Sequence, residues 1–228
     1  MGKIRIAIDG PAGSGKSTVA KKVAEALNYV YVDTGAMYRA VTLAALRKGI
    51  SMDNREALTK VAEHIHLEFR PVDGGQGYYL YSDGEDVHEE IRSLQVTDNV
   101  SFVAAVPEVR HSMVQFQKAL TSEGAVVMEG RDIGTVVMPD AELKVFLTAS
   151  VDERTHRRWL ELQAKGVKVE ESELKESIIR RDAIDSGREI DPLRPADDSI
   201  QLDTTGLTID QVVAAIVDLA HGRGACVL

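Results

Sequence analysis

The run Gly10-Pro11-Ala12-Gly13-Ser14-Gly15-Lys16-Ser17-Thr18 carries the residues best suited to phosphate chemistry. It fits G-x-x-x-x-G-K-[ST] at every fixed position. Glycines let the backbone curl so that successive N–H groups point inward at phosphate oxygens. Lys16 supplies a point charge for β- and γ-phosphates, and the Ser17 hydroxyl is placed to ligate Mg²⁺. A helix starting here adds its positive N-terminal end to the same anion site.

The loop needs a strand before it and a helix after it, and the flanks supply both. Ile4-Arg5-Ile6-Ala7-Ile8 reads as a strand, and Val19, Val23 and Leu27 repeat at helical spacing. Tyr29 to Val32 reads as a second strand ending in Asp33-Thr34-Gly35, with a helix over Ala36–Lys48. Strand and helix in alternation predict a parallel sheet flanked by helices. The middle breaks that rhythm. A helix over Glu56–His66 precedes strands at Leu67–Arg70 and Tyr78–Tyr81, joined by a turn at Asp73-Gly74-Gly75-Gln76-Gly77. This predicts a small mixed α/β insert over about 60–105 within a single domain spanning 1–228. Helices follow at Ser93–Ala105 and Pro107–Leu120. Strands at Ala125–Met128, Leu143–Leu147 and Ile200–Leu202 then alternate with charged helices at Asp152–Lys165 and Glu171–Asp185, before a closing helix at Ile209–Leu219.

Composition narrows the class. The 228 residues are 44% hydrophobic and 28% charged, as in a globular protein with one sizeable core. No apolar run approaches the ~18 residues of a membrane span. The chain enters a strand almost at once, so no secretion leader is expected. Cys226, the single cysteine, fits a reducing cytoplasm. The net charge of −9, from 27 Lys plus Arg against 36 Asp plus Glu, disfavours nucleic acid or an anionic membrane as partner.

In open α/β sheets ligands bind beyond the carboxyl ends of the strands. The glycine loop, Asp33-Thr34-Gly35 with Tyr38-Arg39, and Gly130-Arg131-Asp132 all leave such ends, which predicts one shared crevice. Arg39 and Arg131 could hold a second anion opposite the glycine loop, because a guanidinium fork matches a phosphate. Arg154, Arg157 and Arg158 sit on one charged helix. Two readings stay open for them: a solvated face of i,i+4 ion pairs, or a lid over about 150–170 whose arginines stabilise a transferring phosphoryl group.

Four segments in order resemble the bacterial cytidylate kinase family of P-loop nucleoside monophosphate kinases. They are Asp9 to Thr18, Asp33-Thr34-Gly35-Ala36-Met37-Tyr38-Arg39, Gly130-Arg131-Asp132-Ile133-Gly134-Thr135-Val136-Val137, and Arg180-Arg181-Asp182 through Arg188 to Pro192-Leu193. The resemblance covers almost the whole chain. It implies a P-loop kinase core with a substrate-binding insert and a helical lid, acting as a cytoplasmic monomer. It also implies phosphoryl transfer from ATP-Mg²⁺ to CMP or dCMP. Carried over by position, Gly10 to Thr18 would hold the ATP phosphates; Lys16, Arg131, Arg154 and Arg158 are the expected catalytic residues, with Ser17 on the metal. Tyr38, Arg39 and Arg131 would face the CMP phosphate, with Thr34 beside them where many relatives have Ser. Ser101, Arg110, Asp132 and Arg188 would read cytosine, and Arg181 and Asp185 would contact the sugar.

Those types suit cytosine, which offers a donor at N4 and acceptors at N3 and O2. Asp132 can accept from N4, and Arg110 or Arg188 can donate to N3 or O2. Two other functions share the glycine loop. One is a kinase for UMP, AMP or a non-nucleotide acceptor, and the other is a nucleotide-dependent switch protein. No Asn-Lys-x-Asp is present to read guanine in such a switch.

Overall fold

The computed structural model describes residues 2–71, 78–121 and 124–227, so the Asp73–Gly77 turn lies outside the described residues. Strand β1 (Arg5–Asp9) is the centre of a five-stranded parallel sheet. Its neighbours are β6 (Val126–Gly130) and β7 (Leu143–Thr148), with β2 (Val30–Asp33) outside β6 and β8 (Ile200–Asp203) outside β7. Both faces are buried. Ile6, Ile8, Val127, Leu143 and Val145 pack with α1 (Lys16–Leu27) and α8 (Ile209–Gly222). Ala7, Val126 and Met128 point to the other layer, with α2 (Thr34–Arg47), α3 (Arg55–His64), α4 (Leu94–Ala104) and α5 (Pro107–Ala119). Alternation along each strand splits the side chains between two cores, as a doubly covered parallel sheet requires.

Local chemistry sets the helix ends. Asp33 caps α2 by accepting from the Ala36 N–H at 3.1 Å, so α2 begins at Thr34. The expected loop at Asp33-Thr34-Gly35 is therefore a strand end running directly into a helix. Asparagine caps α3 and serine caps α4, through Asn54 and Ser93. Pro107 opens α5, where its missing N–H costs nothing. Thr208 and Gln211 form a reciprocal capping box on α8.

The expected middle strands are present as β3 (Leu67–Pro71) and β4 (Tyr78–Ser82), paired antiparallel. A third strand, β5 (Glu85–Asp86), had no signal in the sequence because two charged residues carry no period. After β7, Ser150 caps α6 (Val151–Ala164), which packs along α7 (Glu171–Gly187). Among the described residues no helix is long and apolar enough to cross a membrane.

Candidate active site

Strand register brings the site together. Asp9 pairs with Gly130 and Asp33 with Glu129, so the chain leaves β1, β2 and β6 along one edge. The glycine loop, the start of α2 and Arg131-Asp132 therefore meet, as their positions at strand ends predicted.

The glycine loop folds tightly against β7 and α6. A Cβ on Gly10 would stand 2.0 Å from the Leu147 carbonyl oxygen, so only glycine fits. Lys16 is buried, and its ammonium donates to the Pro11 carbonyl at 2.6 Å and to Ser14 Oγ at 3.3 Å. Burial, then the charge of Arg131, pushes that ammonium well below the usual lysine range, against the pull of Glu129, Asp9 and Asp185. Gly15 precedes α1 without any side-chain cap on the first-turn N–H groups. A buried cation beside an uncapped helix N-terminus fits the polyphosphate of a nucleotide.

Glu129, the buried residue before Gly130, takes a hydrogen bond from the Tyr31 hydroxyl. Burial and then the Asp33 charge push its carboxyl up, while Lys16 and hydrogen bonds from Tyr31 and Ser17 pull it down. A carboxylate behind the Ser17 hydroxyl fits a hard divalent cation. Sequence reading missed Glu129. Its one signal was position, beside the strand that feeds the glycine loop.

Across the crevice, one pocket is lined by Thr34, Tyr38, Arg39, Ser101, Arg110, Arg131, Asp132, Arg181, Asp185 and Arg188. Every residue that the resemblance implied for the acceptor thus lies in one wall, drawn from α2, α4, α5, α7 and the segments after β6 and α7. Arg110 is fully buried and pairs with Asp132, while its Nε donates to Asp191 at 3.1 Å. Burial raises the Asp132 carboxyl, and Arg110 and Arg188 hold part of that rise back. Tyr38 lies under Arg110, 5.6 Å from ring centroid to guanidinium, and burial pushes its phenol up to about 12.

One half of the pocket is crowded with positive charge. Arg131 donates to Asp185 at 2.9 Å. Burial works to raise the Asp185 carboxyl, but Arg131 and Arg188 outweigh it and hold it below the usual range. Burial, then the charges of Arg39 and Arg131, pull Arg181 down to about 9. Burial and the charges of Arg131, Arg92 and Arg158 pull Arg39 to about 10. Among the described residues, neither Arg181 Nε nor Arg188 Nε finds a hydrogen-bond partner, although both atoms are buried. Like charges at this density with unused donors call for an anion.

Of the three arginines on the charged helix, Arg157 pairs with Glu153 at 2.9 Å and donates to the Thr204 carbonyl at 2.6 Å, and the other two stand in different surroundings. Arg154 is buried, donating to the Ala149 carbonyl at 3.0 Å and the Ala12 carbonyl at 2.9 Å, and pairing with Asp182 at 2.7 Å. Its guanidinium buttresses the glycine loop. Arg158 pairs with Glu161 at 2.7 Å on the part-exposed side of α6, close enough for its charge to act on Arg39 and Arg181.

The cytidylate kinase family model matches residues 6–222. The chain belongs to the cytidylate kinase family. A cytidylate kinase of Anoxybacillus flavithermus is 52% identical over 97% of this chain and 97% of its own. Another, of Exiguobacterium sibiricum, is 52% identical over 97% of this chain and 99% of its own. Among solved structures, a shikimate kinase from Bacteroides thetaiotaomicron is similar with a TM-score of 0.50 at 14% identity, covering 96% of this chain and 99% of its own. That likeness shows a shared fold. The four segments that carry the resemblance all contribute to the crevice.

Gly130 explains part of the third signature. A Cβ there would stand 2.7 Å from Thr34 Oγ1 and 2.6 Å from Ile133 Cδ1. Thr34 Oγ1 itself donates to the Glu129 carbonyl at 2.7 Å. Its hydroxyl is thus committed to joining α2 to β6.

Proposed function

We propose that this protein transfers the γ-phosphoryl group of ATP to CMP or dCMP, giving CDP or dCDP and ADP. The observation that carries this reading is the pocket opposite the glycine loop, where a buried Asp132–Arg110 pair adjoins a crowd of arginines with unused donors. The pair reads the base edge, and the arginines take the phosphate. Membership of the cytidylate kinase family supports the same substrate.

In this reading the backbone of Gly10 to Thr18 and the Lys16 ammonium hold the ATP phosphates. The Ser17 hydroxyl, with Glu129 behind it, would hold Mg²⁺, which would supply charge neutralisation for the transferring group. Asp132 accepts from cytosine N4, and Arg110 and Arg188 donate to N3 or O2, with Ser101 beside them. Tyr38, Arg39 and Arg131 face the acceptor phosphate, and Thr34 holds the turn that presents them. Arg181 and Asp185 contact the sugar, with Arg181 near enough to the other arginines to share the anion. The acceptor phosphate is already a nucleophile, so the catalytic load falls on alignment and charge stabilisation by Lys16, Arg131 and Arg158. Arg154 contributes by keeping the glycine loop in shape.

The insert over about 60–105 closes on the acceptor and the lid over about 150–170 on the phosphates, in a cytoplasmic monomer. Ser177 on α7, the helix that follows the lid, donates to Asp98 on α4 at 3.3 Å and so joins the two sides of the crevice. Uracil presents the reverse pattern at positions 3 and 4, leaving Asp132 and its partners mispaired. Such a site discriminates by up to about 10⁴.

The test is ADP release from ATP-Mg²⁺ with CMP, dCMP, UMP, AMP, GMP or no acceptor. A strong preference for CMP and dCMP supports the reading. Preference for another acceptor keeps the kinase and removes the cytosine site, and release indifferent to every acceptor removes the kinase.

A further inference from the structure

Asp9 ends β1, one residue before the glycine loop, yet its side chain serves the other half of the site. Oδ1 accepts the Ile133 N–H at 2.8 Å and Oδ2 accepts the Gly134 N–H at 2.7 Å. All three residues are buried. Ile133–Val137 is a wide helical turn closed by the Met138 N–H on the Ile133 carbonyl at 2.7 Å, a five-residue span. The first N–H groups of such a turn have no partner within it. Asp132 stands in the capping position but makes no cap, because its carboxylate is committed to Arg110. The cap comes instead from a different strand.

The capped turn starts immediately after Arg131 and Asp132, so its orientation sets where both side chains point. We propose that Asp9 is a positioning residue for acceptor selectivity: by capping the Ile133–Gly134 turn it aims Asp132 at the base and Arg131 at the acceptor phosphate. It thereby ties the acceptor reader to the strand that carries the glycine loop. This inference rests on the reading of Asp132 as the base-reading carboxylate.

The fit around the cap is close. A Cβ on Gly134 would lie 3.4 Å from Asp9 Oδ2 and 3.2 Å from Lys144 Cδ, so the turn sits against the carboxylate with little slack. The two N–H bonds offset part of the burial that pushes the Asp9 carboxyl up to about 6, with Asp132 raising it further and Lys16 lowering it. A carboxylate is required for geometric reasons, since two N–H donors need two acceptors. An amide offers one acceptor and sets a donor against the second N–H.

The test is Asp9→Asn in the full chain, read by steady-state kinetics and amide exchange. We expect KM for CMP to rise and the CMP-to-UMP ratio of kcat/KM to fall, each by about tenfold or more, since a charge-assisted bond is exchanged for a mispaired donor. KM for ATP should stay within about twofold, and exchange at Ile133 and Gly134 should accelerate. A KM for ATP that rises with that for CMP, at unchanged selectivity, would overturn the proposal, because Asp9 would then serve only the glycine loop. Unchanged kinetics would overturn it as well. If Asp9→Asn does not fold, exchange in the wild-type protein without nucleotide decides. Protection of both amides by about 100-fold or more supports the cap, and free exchange overturns it. Should the wild-type enzyme prefer an acceptor other than CMP, the cytosine reading fails by itself, and the Asp9 ratio is then taken between that acceptor and its nearest analogue.

Discussion

The glycine loop and the acceptor pocket hang from neighbouring strands, yet they are built on opposite plans. The loop is one contiguous run whose backbone N–H groups are proposed to take the phosphates, with the Lys16 ammonium folded onto its own Pro11 carbonyl. The pocket is a set of side chains gathered from α2, α4, α5, α7 and two loops, held by ion pairs across the crevice. Backbone N–H groups recognise phosphate, which every nucleotide carries. Side chains read a base edge, which distinguishes one acceptor from another. The contrast separates a fold-level feature from the side chains that give a site its selectivity.

The largest effect that would sharpen the comparison is at Lys16. Lys16→Ala should lower kcat by about 10³, as loss of one transition-state cation typically does. The fold should survive, because the variant also removes a buried charge that the protein holds well below its usual pKa. ADP release at saturating CMP, paired with thermal denaturation, checks both halves. Near-normal turnover would break the assignment of the loop.

Next comes Asp132→Ala, which should act on one half of the site only. We expect kcat/KM for CMP to fall by about 10²–10³ while ATP hydrolysis without acceptor is retained, since the loss of an oriented hydrogen-bond partner is felt by the acceptor alone. Arg110 would be left buried with one carboxylate partner fewer, so stability should drop by about 3 kcal/mol. Equal losses with and without CMP would erase the division between the two regions.

The smallest effect concerns the arginine crowd. Arg181→Met removes one of several like charges, so the ligand-free protein should gain up to about 1 kcal/mol of stability even as KM for CMP rises about tenfold. The sign follows from the depressed pKa. The folded state disfavours the protonated Arg181 relative to the unfolded chain, and at neutral pH both states carry the charge. Inorganic phosphate should raise the melting temperature of the wild-type protein, and less so that of the variant. A variant destabilised in the absence of ligand would show the crowding to be harmless.

The same contrast decides what could be read from the chain. Periodicity and turn chemistry place most elements of the parallel sheet and its helices, because alternating burial and caps such as Ser93, Ser150 and Thr208 act over a few residues. Several short-range events escaped. Asp33 accepts from Ala36 and starts α2 at Thr34, two residues before its apolar period begins, and β5 is a charged edge strand with no period. Ser101 and Arg110 look like ordinary helix residues one by one. They came forward only through likeness to a family.

What the sequence determined by itself is the glycine-loop half. The glycine spacing of Gly10, Gly13 and Gly15 with Lys16 dictates a loop whose geometry is local, and strand–loop–helix order sets where it points. Tertiary structure alone decided the rest: that Arg154 supports the loop from below, that Glu129 lies behind Ser17, and that Asp9 caps a turn more than a hundred residues away. These partners are long-range pairs, fixed by the register of β1, β6 and β7 and by burial on both faces of the sheet. A charged side chain in a sequence carries no mark of its partner, and only the packed fold brings the two within hydrogen-bonding distance.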